Sequence, residues 1–237
     1  MVFDNINFTD EFGNEQKLEF NNFYCVDCME VLKLMPDKSI DLCIVDPPYG
    51  ININHNMGRR KGDKHSDYKK VTWDSEPPTE EYFNELFRVS QNQIIWGGNY
   101  FHLPPTKCFI VWQKPQISEE MSFSMCEYAW ASFDSTAKII KMYGQEHDRI
   151  HPTQKPVKLY EWILNNYAKR GDKILDTHVG SASSLIACHN LGFQYVGFEL
   201  DKEYYEQSLK RLETVKKQVS ILDVIEKQEN TQIGMEE

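Results

Sequence analysis

The stretch KILDTHVGSASSLIACHNLG, residues 173–192, decides the fold class. KILD (173–176) is a short apolar run that ends on an acid, and it reads as a strand. VGSAS makes a tight turn. SLIACHNLG reads as a helix stopped by Gly192, because glycine tolerates the left-handed backbone that ends helices. YVGFELD (195–201) is then another strand ending on acids, and KEYYEQSLKRLETVKKQV a further helix. Strand and helix in this alternation predict an α/β domain with a largely parallel sheet. In such sheets ligands bind beyond the carboxyl ends of the strands. The helix N-terminus behind the turn favours a carboxylate or phosphate. Glu199 follows at the spacing, about 20 residues, where an acid takes ribose hydroxyls. The turn is not GxGxxG, since it holds only Gly180, so taken alone it is also compatible with a purely structural turn.

The rest of the chain continues the pattern. NFYCVD (22–27) reads as a strand, with Asp27 capping the helix that follows. IDLCIVD (40–46) is apolar on both faces and therefore central. TEEYFNELFRV (79–89) carries one helical stripe of Tyr82, Phe83, Leu86 and Phe87. QIIWGGNYF (93–101) is a strand ending in a Gly-Gly turn. CFIVWQ (108–113) and EYAWASF (127–133) are expected to pair antiparallel, with AKIIKMY (137–143) as a third strand. VKLYEWILNNYA after Pro156 is a helix. No linker divides residues 1–237, so one domain is expected, with 50–78 a long loop and 133–150 a second excursion. A structureless loop as long as 50–78 is unusual in a compact domain and is often functional.

Composition narrows the classes. The 237 residues are 41% hydrophobic, yet no run approaches the roughly 20 apolar residues of a membrane span. The polar, acidic first residues do not read as a secretory signal. Six Cys include one CxxC, Cys25 and Cys28, with no second pair to complete a zinc site. The expectation is a cytoplasmic protein with reduced thiols and no metal. A net charge of −10 argues against simple electrostatic binding to nucleic acid. Residues 59–70, RRKGDKHSDYKK, nevertheless carry six Lys or Arg against two Asp. That run is either a solvated loop or a local track for phosphates.

The second informative stretch is IVDPPYG, residues 44–50. Asp46 ends a buried strand, so its carboxylate should emerge at the rim of the sheet. Pro47 and Pro48 have fixed φ and no N–H, which leaves a carbonyl free to face a ligand. A carboxylate beside a carbonyl is an acceptor pair suited to an NH₂ group, and Tyr49 adds a ring for stacking. Together they describe a pocket for a planar molecule with an exocyclic amine, such as adenine or cytosine.

DPPY, then HPTQKP (151–156), then DTHVGS and FELD resemble the amino-type DNA methyltransferases that use S-adenosylmethionine, in the motif order of their β class. WGGNYF, VWQKP and CEYAWAS extend the resemblance over nearly the whole chain. It implies a Rossmann-like sheet of seven strands, mostly parallel with one antiparallel, helices on both faces, and a circularly permuted motif order. It implies a catalytic Asp46, Pro47, Pro48 and Tyr49, with Asp46 also beside the cofactor. Asp176, Thr177, His178, Gly180 and Ser181 match the loop around the cofactor's methionine. Glu199 matches the ribose acid, Leu200 the residue packed on adenine, and Asp27 with Cys28 the segment at the adenine amine. Thr153, Gln154 and Lys155 match the segment closing over the methionine end. The family commonly reads DPFxGSGT where this chain reads DTHVGSAS. Ala182 therefore stands at a position usually held by glycine, and His178 at one usually held by Phe.

The implied reaction is methyl transfer from S-adenosylmethionine to N6 of an adenine flipped out of double-stranded DNA. Cytosine N4 is the alternative, because family members acting there more often begin the tetrapeptide with Ser. RNA or protein-amide methylation, and a DNA-binding protein without catalysis, are the competing classes. Arg59, Arg60, Lys61, Lys64, Lys69 and Lys70 are the expected phosphate contacts. Little chain remains for reading sequence, which fits a short site, loose specificity or a homodimer.

Overall fold

In a computed structural model, residues on both faces of Ile40–Val45 are buried: Leu42 and Ile44 face one layer of helices, Cys43 and Val45 the other. The described residues are 3, 5–51, 74–121, 124–144, 149–151 and 153–233, with side chains described up to 218. A two-stranded ribbon, β1 (Asn7–Thr9) and β2 (Glu15–Lys17), precedes β3 (Asn22–Cys25) and the short α1 (Cys28–Leu32). β4 (Ile40–Val45), α2 (Glu80–Val89) and β5 (Ser90–Trp96) follow, then β6 (Phe109–Gln113), β7 (Cys126–Ala131) and β8 (Lys138–Lys141). α3 (Val157–Tyr167), β9 (Lys173–Asp176), α4 (Ser183–Asn190), β10 (Gln194–Glu199) and α5 (Lys202–Ile233) complete the order.

The main sheet runs β3-β10-β9-β4-β5-β7-β6-β8. Only β7 is reversed, being antiparallel to both neighbours, β5 and β6. The expected mostly parallel sheet with one antiparallel strand is present, but it has eight strands rather than seven. The addition is β8, which pairs parallel to β6 at the edge. β4 lies between β9 and β5, so the two halves of the chain interleave at the centre. Leu159, Ile163, Leu185 and Leu212, from α3, α4 and α5, cover one face. Val31, Leu32, Tyr82 and Leu86, from α1 and α2, cover the other together with Phe8 and Leu18. The α2 stripe falls largely as its sequence predicts, with Tyr82, Phe83 and Leu86 buried and Phe87 partly buried against the same core. Among the described residues no helix is long and apolar enough to cross a membrane.

This topology concentrates chemistry. β3, β10, β9 and β4 are mutually parallel, so their carboxyl ends share one rim. Asp27, Glu199, Asp176 and Asp46 all stand at or just after those ends.

Candidate active site

Each of these acids is held by its local backbone. Asp27 caps α1, its Oδ1 accepting from the Met29 N–H at 2.9 Å. Glu199 bridges two segments: Oε2 accepts from the Gly180 N–H at 2.8 Å and Oε1 from the Asp201 N–H at 2.9 Å. Burial raises the Glu199 carboxyl above its ordinary range, against the pull of those amides. Asp201 caps α5, accepting from the Glu203 and Tyr204 N–H groups. Asp176 is 2% exposed and accepts from the Ser184 hydroxyl and the His178 N–H. Burial pushes its carboxyl up to about 7.

The turn after β9 carries a hydrogen-bonded chain. Tyr82 Oη and Thr177 Oγ1 are 2.7 Å apart, and Thr177 Oγ1 lies 2.9 Å from His178 Nδ1. Burial pushes the His178 imidazole down to about 4, so it is neutral at pH 7. Ala182 adopts φ +61 at the start of α4. The left-handed backbone expected of a glycine is thus kept by an alanine.

The turn after β4 is more densely tied. The Tyr49 hydroxyl donates to Asp46 Oδ1 at 2.6 Å. The Tyr49 and Gly50 N–H groups donate to Asp74 Oδ1 at 2.7 and 3.0 Å. Asp74, itself 2% exposed, thereby fixes the two residues after the prolines. The Tyr49 ring stacks on Tyr100, centroids 4.9 Å apart and planes 14° from parallel. It also rests on Gly97, which has φ +68 and where an added Cβ would come within 2.2 Å of Tyr49 Cε1. Only glycine fits that approach.

Behind Asp46 runs a row of alternating charges. The Lys155 ammonium pairs with Asp46 Oδ2 and lies 3.0 Å from Glu127 Oε2. Glu127 Oε1 in turn pairs with Lys114. Lys155 sits 4.9 Å over the Trp96 ring. Burial alone would lower the Lys155 ammonium, but Asp46 and Glu127 outweigh it and hold it above the ordinary lysine range. Burial would likewise raise Glu127, yet Lys155 and Lys114 hold it below the ordinary carboxylate range.

One cavity of about 790 Å³ joins these parts. Asp27, Cys28, Asp46, Pro47, Pro48, Tyr49, Thr153, Gln154, Lys155, Thr177, His178, Gly180, Ser181, Glu199 and Leu200 all line it. Asp176 does not; its carboxylate is turned into the start of α4, where it braces the loop. His151, which also lines the cavity, packs on Tyr204 at 4.4 Å and lies 3.0 Å from the Thr153 hydroxyl. Burial first, then Lys155 and Arg149, push the His151 imidazole down to about 4. Arg59, Arg60, Lys61, Lys64, Lys69 and Lys70 lie outside the described residues. Asp74, Gly97, Tyr100, Lys114 and Glu127 are the site residues that sequence reasoning missed. Four of them fall in WGGNYF, VWQKP and CEYAWAS, segments noticed for their likeness but given no role. Among the described residues no group of three or more His, Cys, Asp or Glu could hold a metal ion.

A rim of strand-end acids around one cavity defines a ligand site of the doubly wound α/β kind. Residues 95–210 match the N6/N4-type family described as DNA methylase. The type II methyltransferase M.HinfI of Haemophilus influenzae is 24% identical over 247 residues, covering 80% of this chain and 67% of that protein. The type II methyltransferase M2.DpnII of Streptococcus pneumoniae is 29% identical over 143 residues; the match covers 60% of this chain and half of that one. In fold, the chain resembles the PvuII DNA methyltransferase (cytosine-N4-specific), with a TM-score of 0.55, 14% identity, and coverage of 83% of this chain and 90% of that one. It also resembles M1.HpyAVI in its SAM complex, with a TM-score of 0.52, 22% identity, and coverage of 80% and 98%. Over the segment 95–210 and along these relatives, the chain is similar to amino-type DNA methylases of the N6-adenine and N4-cytosine kind.

Proposed function

We propose that this protein moves the methyl group of S-adenosylmethionine to N6 of an adenine flipped out of double-stranded DNA. The observation that carries the reading is the meeting of Asp46–Tyr49, Thr153–Lys155, the 177–181 turn and Glu199 around one cavity. The donor set fits the cofactor. Each Glu199 oxygen accepts one backbone N–H, which leaves lone pairs for a ribose diol. Asp27 spends one oxygen on its cap and offers the other to an adenine amine. A volume of about 790 Å³ lies within the usual range for ligand sites, about 300–1,000 Å³.

When bound, S-adenosylmethionine supplies an electrophilic methyl on a sulfonium. The protein's task is to present a poor nucleophile to it. An aromatic amine delocalises its lone pair into the ring, so Asp46 and the Pro47 carbonyl accept its hydrogens and favour a tetrahedral nitrogen. The lone pair would then point in line at the methyl; as the C–N bond formed the sulfonium C–S bond would break, leaving a neutral thioether, and the nitrogen's extra proton would pass to water. Positioning and preorganised electrostatics supply most of the rate. Tyr49 stacks on the extruded base, taking the place Tyr100 has against it. The basic run Arg59–Lys70 grips the phosphates of the target strand.

Adenine is preferred over cytosine because the tetrapeptide begins with Asp46. Labelled S-adenosylmethionine is incubated with protein and DNA, and the product is digested to nucleosides. Label in N6-methyl-2′-deoxyadenosine is expected; label confined to N4-methyl-2′-deoxycytidine overturns the base assignment, and preference for RNA overturns the polymer.

A further inference from the structure

The row of charges behind the DPPY turn poses a difficulty for the reaction just proposed. Both oxygens of Asp46 are engaged: Oδ1 takes the Tyr49 hydroxyl and Oδ2 takes the Lys155 ammonium. A neutral target amine is a weaker hydrogen-bond donor than an ammonium, since charge-assisted bonds are roughly twice as strong. Asp46 Oδ2 keeps a second lone pair, but with the ammonium neutralising the carboxylate it would hold the amine only weakly while Lys155 is bound there. Yet Lys155 cannot simply let go. Its side chain is 2% exposed, and a buried unpaired charge is costly. The way out is already in contact. Glu127 Oε2 lies 3.0 Å from the same ammonium, near the start of β7, the reversed strand, whose N-terminal end faces the cavity. Lys114 holds the other Glu127 oxygen and keeps the carboxylate ionised between two cations. The Trp96 ring, 4.9 Å below Lys155, favours a cation along the whole short path between the two acids.

We propose that Glu127 is a positioning residue for the catalytic Asp46, the seat onto which the Lys155 ammonium withdraws when Asp46 receives the target amine. Lys155 then serves as a gate. With the pocket empty of a base it neutralises Asp46; with a base arriving it moves onto Glu127 and leaves Asp46 Oδ2 as an acceptor. The four charges sum to zero in both positions, so the shift buries no new net charge. This inference rests on the methyl-transfer reading.

The test is single-turnover methyl transfer, with cofactor affinity measured by calorimetry on the same preparations. Glu127→Gln leaves the ammonium with one carboxylate and fastens it to Asp46. The transfer rate is expected to fall about 10–100-fold, the scale of a hydrogen bond to a charged group, with the S-adenosylmethionine Kd within about twofold by the same reasoning. Glu127→Asp, which keeps the charge, is expected to recover most of the rate. The double variant Glu127→Gln/Lys155→Met removes the gate along with its seat and is expected to be faster than Glu127→Gln alone. A Glu127→Gln rate equal to wild type overturns the proposal. So does a loss shared equally by rate and cofactor affinity, or a double variant no faster than the single. Should the Gln variant fail to fold, Lys114→Met probes the opposite direction: freed of its outer partner, Glu127 draws Lys155 more strongly and the rate is expected to rise, while a fall overturns the idea. A wild-type protein inert on every DNA offered refutes the methyl-transfer reading itself, a result distinct from an active wild type indifferent to Glu127.

Discussion

Gly97→Ala tests the packing of the turn after β4, proposed above to be catalytic, without replacing any of its residues. The new methyl would stand 2.2 Å from Tyr49 Cε1 and 2.6 Å from its Cδ1 and Cζ. Carbon atoms in contact sit about 3.5–4.0 Å apart, so the ring must retreat by more than an ångström. It cannot do so freely, because Tyr100 stacks on it and Asp46 accepts from its hydroxyl. Two costs add. Alanine at φ +68 carries the left-handed penalty, about 1–2 kcal/mol. Overpacking a filled site adds about 1–3 kcal/mol. The expected destabilisation is their sum, about 2–5 kcal/mol. Gly192→Ala separates the two, since Gly192 has φ +72 but nothing within 4 Å of its added Cβ. Urea unfolding of both variants, followed by tryptophan fluorescence, should place Gly97→Ala below Gly192→Ala by the overpacking cost alone. Methyl transfer should drop in the former and hold in the latter. Equal destabilisation by the two substitutions would refute the reasoning, because it would mean that Tyr49 does not press on Gly97.

Asp46→Ala is expected to abolish methyl transfer while cofactor affinity, read by calorimetry, is largely kept; equal loss of both contradicts the acceptor role. Asp74→Ala removes the acceptor of two backbone N–H groups, so unfolding free energy should fall by about 1–3 kcal/mol and the transfer rate with it. Asn at that position should restore part of each, and a fully active Asp74→Ala would dissociate that carboxylate from the turn. His178 is held near 4 in the fold against 6.5 as its ordinary value. Its contribution is complete above pH 6.5 and is lost as pH falls from there toward 4, amounting to about 2 kcal/mol at pH 5. His178→Phe removes that slope, so the stability difference between variant and wild type should shift in the variant's favour between pH 8 and pH 5. His151 and Asp176 titrate in both proteins and cancel in that difference; an unchanged difference rejects the buried neutral imidazole.

What could be read from the sequence was mostly local. The turn 176–183 lies between a strand and a helix because its apolar runs are short and bounded by acids and glycine, and the same logic located Asp46, Asp27 and Glu199 at strand ends. Where pairing partners are distant, sequence offered less. Residues 138–141 were expected as a third member of an antiparallel group, since neighbours in sequence tend to pair; instead the chain crosses over and β8 lies parallel to β6. β1 and β2 are three residues each and hold a single buried apolar side chain, Phe8, too short an alternation to mark the ribbon in the sequence. Motif position assigns Asp176 but cannot say where a carboxylate turns; Ser184, the second residue of α4, decides that. Lys155 and Glu127 belong to segments with no common period, and only the sheet brings them together. Asp74 follows a long stretch without pattern, and nothing local marks it as the acceptor for Tyr49.

The interleaving of the sheet has a consequence for biosynthesis. β4 waits for β9 as its neighbour: the Lys173 N–H that donates to Asp41 beside it lies 132 residues further along the chain. A ribosome must therefore add most of the described sequence before this apolar strand is flanked on both sides. Until then one hydrogen-bonding edge of β4 is open, and such edges invite pairing with the wrong chain. Sheets completed by distant partners also form slowly. The same arrangement that sets Asp46 between Glu127 and the turn after β9 thus leaves the nascent strand open for longer, and slowing translation between residues 96 and 173 should lower the yield of soluble protein.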